Sequence, residues 1–179
     1  MLFRSLGKVG VDGAMLDVIG AEETIREVYH LEVGVEEYEA ALARLARHGV
    51  PLVPHIILGL HYGKLLGEWR ALEMIARHPP KLLVLVILMP LYGTPMAGVT
   101  PPPAEEIGAF FDRARAALPD TPIMLGCARP IGPSKAEIDR RAVDAGLNGI
   151  ASPAEGIVAY AESHGLTPRF HDACCGVNF

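Results

Sequence analysis

The chain has 179 residues, half of them hydrophobic, with a mean hydropathy of +0.27 and a formal net charge of -5. That much apolar surface can offset the entropy of ordering, so a disordered chain is excluded, and the acidic balance argues against a protein that holds nucleic acid by neutralising phosphates. Three cysteines are too few for a disulfide scaffold and point to a reducing cytoplasm. The longest apolar run, Leu82–Leu91, is ten residues with Pro90 inside it, against about 20 for a bilayer span. The opening residues have neither the apolar core nor the cleavage pattern of a signal peptide.

Two textures alternate along the chain. Short apolar runs at Ala14–Ile19, Leu52–Leu58, Leu82–Met89, Pro122–Gly126 and Leu147–Ala151 predict five strands buried on both faces, because most are continuously apolar rather than alternating. Between them, helical spacing predicts helices over Glu36–His48, with Tyr38, Leu42, Leu45 and Ala46 on one side and Gly49 as the stop, and over Leu66–Arg77 and Glu105–Leu118. Ser134-Lys-Ala-Glu137 and Ser152-Pro-Ala-Glu155 both read as capping boxes, for helices that end at Gly146 and Gly165. Strand–helix alternation of this period implies an α/β fold with a parallel sheet and right-handed crossovers, either an open sheet or part of a (β/α) barrel. No GxGxxG or P-loop follows a strand, so a dinucleotide or nucleotide-triphosphate fold has no direct support.

In parallel α/β folds the site gathers where the strands end. There this sequence places Asp17, the turn Gly59-Leu-His61-Tyr62-Gly63, the segment Pro90-Leu-Tyr-Gly93-Thr94-Pro95, and Cys127-Ala-Arg129-Pro130. Asp17 interrupts an apolar strand, and a buried carboxylate needs a partner such as a ribose hydroxyl pair, or it caps a turn. His55 is either a hydrogen-bonded core histidine or a site residue, and His61 between two glycines faces a ligand or completes an ordinary turn. The Arg129 guanidinium suits a carboxylate or a cluster at a barrel mouth, or solvent. Cys127 reads as a small buried side chain, and Cys174 and Cys175, with His171 nearby, leave a redox or iron–sulfur role open. Other charged pairs, such as Arg140-Arg141 and Glu22-Glu23, read as solvated helix faces.

Several of these segments, in order and spacing, carry a resemblance: Gly13-Ala-Met-Leu-Asp-Val-Ile-Gly20, Val53-Pro-His-Ile-Ile-Leu-Gly-Leu-His-Tyr-Gly63, Val86-Ile-Leu-Met-Pro-Leu-Tyr-Gly-Thr-Pro95, Leu125-Gly-Cys-Ala-Arg-Pro130 and the Cys174-Cys175 tail. The chain resembles radical S-adenosylmethionine (SAM) enzymes of the biotin-synthase-like branch, and more closely the prokaryotic homologues of biotin synthase that include a component of the two-protein lipoyl synthase. The resemblance implies the C-terminal part, five strands, of a TIM-like (β/α) barrel, as one domain over residues 1–179. It implies that Asp17 meets the SAM ribose, that Gly59 lies against adenine and the methionyl group with His55, His61 and Tyr62 beside it, and that Met89, Pro90, Gly93 and Thr94 sandwich adenine. It places Arg129 and Cys127 on the substrate side, Arg129 at the position of an arginine that ligates an auxiliary cluster.

The sequence departs from the family in definite ways. His55 stands for the first glycine of the family's GxIxGxxE strand, Tyr62 stands at its glutamate, and Val53 stands at the strand-five cysteine of the auxiliary cluster. The CxxxCxxC trio that holds a [4Fe–4S] cluster is absent. The expectation is therefore a chain that is inactive alone, either partnered by a separately encoded N-terminal half-barrel or the product of a shortened or split gene, and acting in sulfur insertion on a small or lipoyl-type substrate. Two other readings compete: a non-catalytic binding or assembly module, and a small metal-dependent (β/α) enzyme using His55, His61 and Asp17.

Overall fold

The computed structural model describes residues 2–177. Helix α1 (Leu2–Val9) precedes strand β1 (Ala14–Asp17), and two helices follow it, α2 (Glu22–Glu27) and α3 (Val35–Arg47). Then β2 (Leu52–Leu58), α4 (Glu68–Arg77), β3 (Leu83–Ile87), α5 (Ala104–Ala117), β4 (Ile123–Leu125), α6 (Pro133–Asp144), β5 (Gly149–Ile150) and α7 (Ile157–Ser163) alternate. The five strands form one all-parallel sheet in the order β1-β2-β3-β4-β5. Each apolar run predicted as a strand therefore holds one, Leu52–Leu58 end to end and the other four trimmed. Helices α1 and α2, absent from the sequence reading, are additions. No helix among the described residues is long and apolar enough to cross a membrane.

Because each strand pairs with its neighbour in sequence, every crossover runs the same way across the sheet. Right-handed crossovers then put the helices on one face. The packing follows that rule. Leu52, Ile56 and Leu58 of β2, Leu83, Leu85 and Ile87 of β3, and Ile123 and Leu125 of β4 share the main core with Ile25, Val35, Leu42, Leu45, Met74, Ile75, Ile107, Phe110, Phe111 and Ile138 of α2–α6. Alternate residues point the other way. Val53, Leu82, Val84 and Met124 form a second, smaller cluster, with Val86 and Ala151 beside it and Cys175 of the C-terminal tail packed on it. The strands read as continuously apolar because both faces are covered, one by helices and the other in part by the tail.

Helices α3, α6 and α7 end as their glycines predict. Gly49, Gly146 and Gly165 take left-handed backbone, and the next amide in each case bonds back to an earlier carbonyl: Val50 to Leu45, Leu147 to Ala142, Leu166 to Ala161. Both capping boxes fail. Helix α6 starts two residues early, on Pro133 behind Gly132 at φ 87°, which carries Ser134 inside the helix. Helix α7 starts only at Ile157, behind Gly156. The Ser152–Glu155 segment is instead a turn, because a buried ion pair takes its backbone groups, as described below.

Candidate functional site

The register sets the first pair. Asp17 lies opposite His55, His55 opposite Val84, and Val84 opposite Met124. Laterally paired residues of parallel strands share a face, about 4.8 Å apart in the sheet. This row therefore runs Asp17, His55, Val84, Met124 across the face that the helices leave open. The two polar residues that interrupt apolar strands are thus neighbours, at the carboxyl end of β1 and midway along β2. Tyr29, just past α2, donates its hydroxyl to Asp17 Oδ2 at 2.8 Å. Burial and that carboxylate push the Tyr29 phenol well above its ordinary value, and the Tyr38 phenol is raised for the same two reasons.

His55 is half-buried, and its Nδ1 lies 3.1 Å from the Val53 carbonyl oxygen. A carbonyl only accepts, so Nδ1 carries the proton and Nε2 is the acceptor in the neutral ring. Burial pulls the imidazole below its ordinary value of 6.5, against Asp17 and the Val53 carbonyl, which raise it. A folded value below the unfolded one means that the unfolded chain takes up the proton first. The resulting stability is present above about pH 6.5 and is lost as pH falls through the folded value. Urea midpoints should thus drop between about pH 7.5 and about pH 5.5, and should drop less in His55→Gln. Equal slopes for the two proteins would show that His55 makes no such contribution.

The β2–α4 loop holds His61 and Tyr62. His61 Nδ1 lies 3.3 Å from Thr24 Oγ1, and the two rings of His61 and Tyr62 meet edge to face at 5.4 Å. Gly59 and Gly63 are left-handed, at φ 78° and 84°. A side chain on Gly59 would strike Pro102 Cδ at 2.4 Å, and one on Gly63 the Thr100 carbonyl oxygen at 2.1 Å. The space these glycines leave is therefore filled by the protein's own β3–α5 connection. At the base of the loop, buried Glu68 accepts hydrogen bonds from the amides of Gly59 at 2.9 Å and Gly67 at 3.0 Å.

Arg129 is 1% exposed. Its Nε donates to Asp139 Oδ1 at 2.7 Å and its Nη2 to Asp139 Oδ2 at 3.2 Å, a two-point pair with a carboxylate that is fully buried. Nη1 donates to the Gly126 carbonyl at 2.7 Å and Nη2 also to that of Ser152 at 3.0 Å, while the Ala154 amide donates to Asp139 at 2.8 Å. The guanidinium is thus committed to joining β4, α6 and the turn after β5. The carboxylate it was expected to meet is supplied by its own chain.

The β3 end opens outward. Met89 is exposed, Pro90 half-buried, and Gly93 and Thr94 lie in an exposed turn where Thr94 Oγ1 donates to the Leu91 carbonyl at 2.7 Å. Cys127 and Cys174 are exposed, Cys175 is buried, and all three are free thiols. Among the described residues, no three His, Cys, Asp or Glu side chains converge to hold a metal ion. An open groove of about 480 Å3 between α4 and α5, walled by Trp69, Leu72, Ala76, Ala109 and Arg113, carries none of the strand-end residues.

The structure therefore brings Asp17 and His55 together, with Tyr29. Arg129 is committed instead to Asp139 and to the Gly126 and Ser152 carbonyls. Tyr29, Glu68 and Asp139 escaped the sequence reading. Only Glu68 left a trace, as an acid at the start of a predicted helix. No family model matches the chain, and no curated protein matches it.

Proposed function

We propose that this chain is the C-terminal portion of a (β/α) barrel of the radical SAM kind, resembling biotin synthase and the two-protein lipoyl synthase, and that the open face of its sheet takes the nucleoside of S-adenosylmethionine. The sequential, all-parallel strand order with helices on one face supports the half-barrel reading, since a barrel is that arrangement continued until it closes. The observation that carries the ligand is Asp17. One carboxylate oxygen is held by Tyr29, and the other makes no hydrogen bond among the described residues, at a strand end and on the open face. That is an oriented acceptor for a ribose hydroxyl. Met89 and Pro90 offer apolar contact for a base. Gly59 and Arg129 are already engaged and contribute to the walls rather than the contact.

In complete enzymes of this kind, SAM supplies a 5′-deoxyadenosyl radical that takes hydrogen from an unactivated carbon before sulfur is inserted. That chemistry needs a [4Fe–4S] cluster, and the residues here do not fit one: three thiolates in the required spacing are absent from the sequence and no three ligating groups converge among the described residues. The part of this chain is accordingly binding. The cluster belongs to an N-terminal half-barrel that would pair along β1, an edge of the sheet. The lipoyl-type substrate would enter at the same carboxyl ends.

Calorimetric titration of the full chain with SAM, and with adenosine, tests this. Both should bind, and Asp17→Asn should weaken both about 10- to 100-fold, the equivalent of about 1.5–3 kcal/mol for a hydrogen bond to a charged group. Absence of heat with either ligand, or equal affinity in Asp17→Asn, overturns the reading.

A further inference from the structure

The nucleoside reading assigns His55 no contact, yet His55 stands in the same row as Asp17. The two are register partners on adjacent parallel strands, so their side chains rise side by side from the open face. Both are half-buried. Each has one polar atom committed and one left over. Tyr29 donates to Asp17 Oδ2 at 2.8 Å, and His55 Nδ1 donates to the Val53 carbonyl at 3.1 Å. Asp17 Oδ1 and His55 Nε2 make no hydrogen bond among the described residues. With Nδ1 protonated, Nε2 has only a lone pair to offer. The two cannot satisfy each other, because both are acceptors. Beside them the face is already filled: Cys175 of the tail packs in the cluster of Val53, Val84 and Met124, and Gly176 lies against Met15. A pair of half-buried acceptors on one face is matched by a molecule that brings two donors.

We propose that His55 is a second recognition residue of the nucleoside site, and that with Asp17 it takes the two hydroxyls on adjacent ribose carbons, one to each acceptor. This rests on the nucleoside reading above and adds to it a requirement for both hydroxyls. A vicinal diol fits because its two O–H groups leave neighbouring carbons and diverge to acceptors whose strands lie about 4.8 Å apart. A ligand lacking one hydroxyl leaves an acceptor desolvated and unpaired, which is how a polar site rejects an analogue that lacks a group. Neutral His55 is the binding form. Protonation turns Nε2 into a donor beside the Asp17 carboxylate, and the two then satisfy each other, which removes both acceptors at once. From β1 the imidazole faces Asp17, with the Tyr29 and Tyr38 phenols behind it. From β3 it faces apolar Val84, on which the tail packs Cys175. The phenols and the thiol are all pushed upward and stay neutral in the range where an imidazole titrates. Burial holds His55 below its ordinary value, so the site is open at neutral pH and closes in acid.

The test is calorimetric titration of the full chain with adenosine, 2′-deoxyadenosine and 3′-deoxyadenosine, repeated from about pH 7.5 down to about pH 5. Near neutral pH each deoxynucleoside should bind about tenfold more weakly than adenosine, or worse. Affinity for adenosine should fall about threefold or more across that range. His55→Phe keeps a ring and offers no acceptor. It should bind adenosine about tenfold more weakly, lose the discrimination against one deoxynucleoside and keep it against the other. His55→Gln restores an acceptor that does not titrate, so it should regain part of the affinity and show a flat pH profile. A histidine that only supports the fold would weaken all three nucleosides alike. Adenosine bound no more tightly than either deoxynucleoside, or a pH profile as steep in His55→Gln as in wild type, overturns the role of His55 and leaves Asp17 as a lone acceptor. Absence of binding by all three overturns it together with the nucleoside reading. The wild-type comparisons decide the matter even if a variant does not fold.

Discussion

Asp139→Ala should cost the fold about 3 to 5 kcal/mol, the usual loss when one member of a buried ion pair is removed and the other charge is left without a partner. The substitution strands the Arg129 guanidinium, 1% exposed, and also frees the Ala154 amide that Asp139 accepts. Arg129→Met should be comparably damaging, because the Gly126 and Ser152 carbonyls lose their donor and the buried carboxylate loses its countercharge. The double variant Arg129→Met with Asp139→Leu should recover part of the loss, since an uncharged pair carries no desolvation penalty. Urea denaturation of the four proteins separates these contributions. A loss below about 1 kcal/mol in Asp139→Ala would place the pair among weak, solvated bridges and remove it as the fastener of β4, α6 and the turn after β5.

That fastener explains where the sequence misleads. Ser152-Pro-Ala-Glu155 has every residue that a capped helix start wants, yet the Ser152 carbonyl and the Ala154 amide are claimed by Arg129 and Asp139. Local propensity favoured a helix by a fraction of what the buried pair gains from the turn. Arg129 was legible as a residue seeking a carboxylate. Its partner was not, because Asp139 sits beside Arg140 and Arg141 in a strongly charged helix where nothing marks one acid as inward-facing. The strands fared better. Continuous apolar runs are what two covered faces require, and all five are present in the parallel sheet.

The candidate site divides along the same line. Asp17 and His55 were visible as polar residues inside apolar strands, a costly placement that asks for a partner. That they lie side by side depends on the β1–β2 register, which no local pattern encodes. Tyr29 reaches Asp17 through the turn after α2, a helix of six residues too short to show a periodicity. Gly59 and Gly63 announced that something comes close to the loop. Pro102 and Thr100, some forty residues later, are what comes close, and only the packing of the β3–α5 connection reveals it.

Glu68 ties that loop to the sheet, and its removal should be the other large effect. Its carboxylate is the acceptor for two buried amides, Gly59 at the end of β2 and Gly67 before α4. Glu68→Ala leaves both without a partner, at about 1–3 kcal/mol each, so a total near 2 to 6 kcal/mol is expected. It should also loosen His61 from Thr24, because Gly59 begins the segment that carries His61. Glu68→Gln keeps one acceptor oxygen and turns an NH2 toward the other amide, so it should fall between wild type and alanine. The pH dependence distinguishes burial from hydrogen bonding. Burial is the larger influence and holds the carboxyl above its ordinary value of 4.5, while backbone amides, its own first and then those of Gly59, Gly67 and Leu66, pull the other way. The folded protein then binds the proton more tightly than the unfolded chain. This contribution to stability is complete below the unfolded value and is lost as pH rises through the folded one. The advantage of wild type over Glu68→Gln should accordingly shrink as pH is raised from about 4.5 toward neutrality. An advantage that grows over the same range would mean that the amides outweigh the burial and that the ionised carboxylate is the form the loop was built around.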